Sequence, residues 1–200
     1  MRGDMTAETA FRSDEHFTQD EFRRWLDDRP QSDINHYELI NGRIVMTPPA
    51  GWPHGRIGTC LTSVLNQYVN SRKLGMVLDS STGYDLPSGD TLEPDVSFVT
   101  TKRVAAGPPP VEGQFLRIVP NLVVETLSRS TARRDRTEKK KVYERNGVEE
   151  YWIVDAQRRT VTVFHLTKGG YDAGQAFSAG KIKSRVLPKL DLSVEDVFAF

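Results

Sequence analysis

The chain has 200 residues, 38% of them hydrophobic, and its 27 Lys and Arg residues cancel its 27 Asp and Glu residues to a formal net charge of zero. That length and composition describe one globular domain with a real core and exclude a disordered chain. No run approaches the roughly 20 apolar residues that cross a bilayer, so a membrane partner is not expected. Zero net charge excludes coating a polyanion by bulk electrostatics and confines any nucleic-acid contact to a local basic patch.

In chain order, Met1 to Phe17 mixes charges with little apolar content, lacks the apolar stretch of a secretory signal and reads as a flexible tail, leaving 18–200 as a single domain. Thr18 followed by Glu21 fits a capping box for a short helix carrying Phe22, Trp25 and Leu26 and broken by Asp27, Asp28 and Pro30. Tyr37–Ile40 and Arg43–Met46 flank Asn41-Gly42, the dipeptide that best supplies the positive φ angles of a hairpin turn. Ile57, Leu61, Val64, Leu65, Tyr68 and Val69 then follow the spacing of an amphipathic helix. The lone cysteine, Cys60, excludes an intramolecular disulfide and a Cys-rich zinc site and fits a reducing cytoplasm.

Met76–Asp79, Tyr84–Leu86, Val96–Thr100 and Leu122–Leu127 are expected strands, with Ala105–Gly113 a proline-rich loop between the last two. A second long helix is expected over Thr131–Asn146, stopped by Gly147, followed by a hairpin of Tyr151–Val154 and Val161–Leu166 and a short terminal helix around Val194, Val197 and Phe198. This interleaving predicts a mixed sheet with helices against it, in the α+β to α/β range.

Two acids stand where strands should be apolar. Asp95 opens the Val96 strand, and Glu125 lies inside Leu122-Val123-Val124-Glu125-Thr126-Leu127, where an unpaired carboxylate would cost several kcal/mol. Either Glu125 pairs with a helix cation, or Asp95 and Glu125 converge on a divalent ion; Mg²⁺ suits two carboxylates, water and a phosphate. In the following helix, Lys139 lies three and four residues before Val142 and Tyr143, so it shares the face that meets the sheet, whereas Lys141 does not. A metal to polarise a phosphate and an ammonium to steady the developing charge are what phosphodiester hydrolysis requires. A plain Glu125–Lys139 salt bridge uses the same residues. Arg133, Arg134, Arg136 and Lys140 form a basic face able to contact backbone phosphates.

Tyr37-Glu38-Leu39-Ile40-Asn41-Gly42, Glu93-Pro94-Asp95-Val96, Pro120 through Ser128, Lys139 through Tyr143, Gly147-Val148 and Glu150 through Asp155 together resemble the restriction endonuclease family called Uma two, in the PD-(D/E)XK nuclease superfamily. The resemblance implies a four-stranded mixed core sheet flanked by helices, an N-terminal β-hairpin, and an Mg²⁺-dependent site, with Mn²⁺ as a substitute, that cuts double-stranded DNA. It matches Asp95 and Glu125 to the two metal-binding acids. Leu127 occupies the superfamily's usual lysine position, and in the resembling family the lysine migrates to the next helix, which selects Lys139. Glu38 matches the hairpin glutamate, either completing the metal's surroundings or standing as an ordinary hairpin charge. His54 matches a family histidine, either orienting water or phosphate or capping a helix. Asn121 and Arg129 replace the family's frequent Asp and Pro. Restriction-type enzymes further imply a homodimer. A non-cleaving nucleic-acid- or protein-binding relative, or a hydrolase of another phosphodiester, uses the same residues; a carboxylate-pair glycosidase leaves the inward lysine without a role.

Overall fold

A computed structural model describes residues 11–200 of the chain. Helix α1 (Gln19–Asp27) starts on the expected capping box: Thr18 Oγ1 accepts from the Glu21 N–H, and the Glu21 carboxylate accepts from the Thr18 N–H at 2.8 Å. Strands β1 (His36–Ile40) and β2 (Arg43–Thr47) pair through Ile40↔Arg43 around Asn41 and Gly42, whose φ angles of 52° and 73° make the tight turn. Residues 1–10 of the expected tail lie outside the described residues. From Phe11 onward the chain lies along β2, with Ser13 N–H on Ile44 O and the Met46 N–H on Phe11 O, each at 2.9 Å, because an edge strand offers unpaired backbone groups.

After α2 (His54–Arg72) come β3 (Gly75–Asp79), β4 (Tyr84–Asp85), β5 (Thr91–Leu92) and β6 (Val96–Thr100). The chain then enters α3 (Thr101–Ala106), which takes the first residues of the expected Ala105–Gly113 loop. Thr100 makes this possible by accepting from the Arg103 N–H and capping the helix directly off the strand. Strand β7 (Leu122–Thr126) leads to α4 (Ala132–Arg134), a π-turn over Asp135–Lys139 and α5 (Lys140–Arg145). The Tyr151 hydroxyl donates to Asp135 O at 3.0 Å, so a side chain inserts into the helical ladder where the helix widens. Gly147, at φ 79°, turns the chain into β8 (Glu150–Asp155), β9 (Thr160–Thr167), β10 (Gly170–Tyr171), β11 (Gln175–Phe177) and α6 (Val194–Val197).

The central sheet has seven strands, in the order β10-β9-β8-β7-β6-β3 with β11 beside β9, so it extends beyond the four-stranded core expected from the family resemblance. Its β7–β8 pair is parallel, which requires the helical crossover between them, and the other pairings are antiparallel. Side chains alternate between faces. Val96, Phe98, Leu122, Val124, Trp152 and Val154 pack on Ile57, Leu61 and Leu65 of α2 and on Leu192, Val194 and Val197 near the C-terminal end. Val123, Tyr151 and Ile153 face the other way, onto Val142 and Tyr143 of α5 and onto Ile40 and Val45 of a four-stranded sheet ordered β2-β1-β5-β4. No described helix is long and apolar enough to cross a membrane.

Candidate active site

The site lies where the hairpin, the central sheet and the helical crossover meet. Val96 of β6 pairs with Val124 of β7, so the antiparallel register brings Asp95, just before β6, beside the end of β7 that carries Glu125. Asp95 Oδ2 accepts the Thr126 N–H at 2.6 Å and lies 3.0 Å from His54 Nε2 at the start of α2. Burial pulls the His54 pKa down, but the hydrogen bond and charge of Asp95 together outweigh it and hold the imidazole above its usual value.

Glu125 alternates with Val124 and therefore points to the face covered by α5. Tyr143 donates to its Oε1 at 2.6 Å, and Lys139 Nζ reaches the same oxygen at 2.7 Å. The ammonium also lies 2.8 Å from Glu38 Oε1 on the hairpin and 4.0 Å from Asp135 Oδ1. Glu38 Oε1 additionally accepts the Glu93 N–H at 3.0 Å. Burial drives the Glu125 pKa well above the carboxylate range against the opposing pull of Lys139, with Asp135, Asp95 and Glu38 adding to the rise. Burial likewise pushes Asp135 up to about 6, with Lys139 opposing. Lys139 loses hydration too, yet its surrounding carboxylates outweigh that loss and hold it more firmly protonated than a free lysine.

Glu38, His54, Asp95, Glu125, Asp135 and Lys139 line one cavity of about 280 Å³, with Tyr143 behind Glu125. The protein partners of the two strand acids fall on Asp95 Oδ2 and Glu125 Oε1, which leaves Asp95 Oδ1 and Glu125 Oε2 without a protein hydrogen bond among the described residues. Hard carboxylate oxygens of this kind suit a hard divalent cation that keeps several waters. Among the described residues no group of three or more His, Cys, Asp or Glu is arranged to hold a metal, so a metal here would be completed by water or substrate oxygens.

Asp95, Glu125, Lys139, Glu38 and His54, the five expected catalytic residues, are thus brought to one cavity. The expected phosphate-binding residues separate. Arg134 is buried in the cavity wall, donating to Thr47 Oγ1 at 2.6 Å while its Nε has no partner among the described residues. Arg136 pairs with Asp155 at 2.8 Å in a neighbouring groove, and Arg133 is exposed. Lys140 packs its Nζ 3.7 Å from the centroid of Phe164 and does not line the cavity. Leu127 packs into the apolar cluster against α5. Sequence reasoning missed Asp135, buried with Oδ1 lacking a hydrogen bond among the described residues; it stands four residues before Lys139, so the spacing that singled out Lys139 carried the signal.

A mixed sheet crossed by one helical connection, with an acid just before β6, an acid in β7 and a helix lysine at its end, defines a restriction-endonuclease-like architecture. The solved structure of a putative nuclease belonging to DUF820 from Anabaena variabilis matches it with a TM-score of 0.74 and 22% identity, over 92% of this chain and 98% of that one. The chain belongs to the Uma2 family, described as "Putative restriction endonuclease", whose model matches residues 19–195. No curated protein matches the chain.

Proposed function

We propose that this protein is an Mg²⁺-dependent endodeoxyribonuclease, with Mn²⁺ as a substitute ion, in which Asp95 and Glu125 hold the metal and Lys139 is the migrated lysine. The observation that carries the reading is the pair of unpartnered carboxylate oxygens, Asp95 Oδ1 and Glu125 Oε2, on one cavity with a buried ammonium. The cavity's charge supports it. Glu38, Glu93, Asp95, Glu125 and Asp135 stand beside Arg134 and Lys139, five carboxyl groups against two permanent cations, a set of hard oxygens that suits a divalent cation. When bound, the ion supplies Lewis acidity to the phosphate and acidifies water.

The protein's own groups divide the remaining work. Thr126 N–H and His54 hold Asp95 by one oxygen and direct the other outward. Lys139 and Tyr143 do the same for Glu125. Lys139, kept protonated by its carboxylates, places a fixed positive charge where negative charge develops during hydrolysis. Arg134 adds a second fixed positive charge to the cavity wall, beside the place an entering phosphate would take. Arg133 and Arg136 contact the backbone further along. A duplex with two strands is matched by a homodimer with two sites, each copy using residues 18–200 as one domain.

The test is conversion of supercoiled plasmid to nicked or linear form with Mg²⁺ or Mn²⁺, comparing wild type with Asp95→Ala and Glu125→Ala purified identically. Cleavage by wild type and its loss in both variants is the expected result. Equal cleavage by all three overturns the assignment of the site. One observation favours a second reading, a relative that binds without cutting: Lys139 is already engaged by Glu38 and Glu125 at 2.8 and 2.7 Å. Under that reading, titration calorimetry with Mg²⁺ or Mn²⁺ gives no binding heat and the plasmid stays intact.

A further inference from the structure

A second cavity, of about 580 Å³, adjoins the first and shares Ala50, His54, Thr126 and Ser128 with it. It is lined by Trp52, which is 75% exposed, and the Trp52 ring meets the 48% exposed ring of Phe200 edge-on at a centroid distance of 5.1 Å. Of the five large apolar side chains left exposed among the described residues, these two meet at this one place. A wide indole face kept in water beside a polar cleft buries nothing in the fold, and exposed aromatic groups of this kind mark binding sites more often than packing.

The chemistry around the ring narrows the occupant. Arg129, Arg136 and Arg158 line the same cavity, and the acid among its lining residues is Asp155. Asp155 is buried, and its Oδ2 takes Arg136 at 2.8 Å and Arg158 at 2.9 Å. Three guanidinium groups against one carboxylate leave a cationic surface, and the side chains of Arg136 and Arg158 keep 42% and 71% of their exposure. Arg129 is exposed and has no ion-pair partner among the described residues. Exposed aromatic surface interleaved with arginines fits a polyanion that carries flat, stackable groups: a polynucleotide whose bases are free.

We propose that this second cavity is a subsite for an unpaired DNA base, with Trp52, braced by Phe200, as the stacking platform and Arg129, Arg136 and Arg158 as contacts for the flanking phosphates. The inference rests on the nuclease reading above and narrows its substrate: the strand that reaches Asp95 and Glu125 is locally single-stranded. A paired base already has both faces covered within the duplex, whereas an unpaired one can stack on the indole whatever its identity. The subsite therefore selects for strand separation and not for sequence.

The test is fluorescence anisotropy in EDTA, where cleavage cannot intervene, on three labelled probes: a short mixed-sequence single strand, the same sequence as a duplex, and the single strand with abasic sites at its centre. Trp52→Ala is expected to weaken the intact single strand about ten-fold, the scale of one lost base stack, while leaving the duplex and the abasic strand unchanged. Trp52→Phe, which keeps an aromatic face, is expected to recover most of the loss. Because Trp52 is exposed, its circular dichroism and unfolding temperature serve as checks that the fold is intact. Unchanged single-strand affinity in Trp52→Ala, or equal loss on all three probes, overturns the proposal. So does a variant that changes only the sedimentation behaviour, which would make the aromatic pair a contact between copies. If wild type cuts plasmid but Trp52→Ala has no effect on any probe, the subsite alone falls. If wild type neither binds a probe nor cuts plasmid, the nuclease reading falls and takes the subsite with it.

Discussion

Glu125 and Glu150 sit in adjacent parallel strands, and both are buried, with 3% and 0% of their surface exposed. Glu150 is fully occupied: Oε1 accepts the Trp152 indole N–H at 2.6 Å, and Oε2 accepts the backbone N–H groups of Arg185 and Val186 at 2.7 and 3.2 Å. Glu125 is occupied on one oxygen and open on the other, and the open side meets a cavity. Burial of a carboxylate is therefore no mark of function by itself. A carboxylate with both oxygens held by indole and backbone donors ties the C-terminal segment to the sheet, while Glu125, held by a lysine and a tyrosine on one oxygen, keeps the other free of protein donors among the described residues.

The widest separation between the two comes from replacing each by glutamine. Glu125→Gln is expected to lower plasmid cleavage about a thousand-fold, the upper scale of losing an electrostatic contact to the reacting centre, without lowering the unfolding temperature. The fold already disfavours the charged form of Glu125, so a neutral isostere removes that penalty. Glu150→Gln is expected to do the reverse, costing about 2–4 kcal/mol in denaturant unfolding because an amide N–H₂ now faces donors that need an acceptor, while cleavage per folded molecule is retained. A Glu150→Gln protein that is stable and inactive would erase the contrast.

The same contrast separates what is legible in the sequence from what only the fold assembles. Elements whose cause is local were legible: Asn41-Gly42 turns the hairpin with the positive φ angles expected of it, and Thr18 with Glu21 caps α1 reciprocally. Glu125 drew attention because a lone acid in an apolar strand needs an explanation, and Lys139 because its spacing to Val142 and Tyr143 placed it on the inner face of the helix. Glu150 stood only at the edge of a motif, since a glutamate at a strand entrance is ordinary and its two backbone donors come from residues 35 and 36 positions away. Strands β10 and β11, of 2 and 3 residues, exist only because β9 offers them partners. The π-turn over Asp135–Lys139 depends on a hydroxyl delivered from β8, which no helical spacing announces.

Asp135 sharpens the comparison through pH. Its folded pKa, raised to about 6 from an unfolded value of 3.8 chiefly by burial, means that the folded state binds the proton more tightly. Its contribution is therefore greatest below pH 3.8 and is lost as pH rises to about 6. Asp135→Asn is expected to remove that slope and to gain roughly 1–3 kcal/mol at pH 7, read as chemical denaturation at a series of pH values. A loss of stability at pH 7 would instead make the carboxylate a net partner of Lys139.

The finest distinction lies in how each glutamate tolerates loss of a single donor. In Tyr143→Phe the hydroxyl leaves Glu125 Oε1, but Lys139 remains 2.7 Å from that oxygen, so the site keeps its cation and loses one hydrogen bond. The expected cost is about 0.5–1.5 kcal/mol in stability, with the ring's packing on Tyr151 preserved. Trp152→Phe strips Glu150 Oε1 of its indole donor and also opens space in a filled core, so it should cost several-fold more in the same denaturation assay. Equal costs for the two variants would mean that Lys139 holds Glu125 no better than a lone oxygen is held, and that its role lies with Glu38. A larger cost for Trp152→Phe separates a carboxylate bound redundantly from one whose every donor is required by the fold.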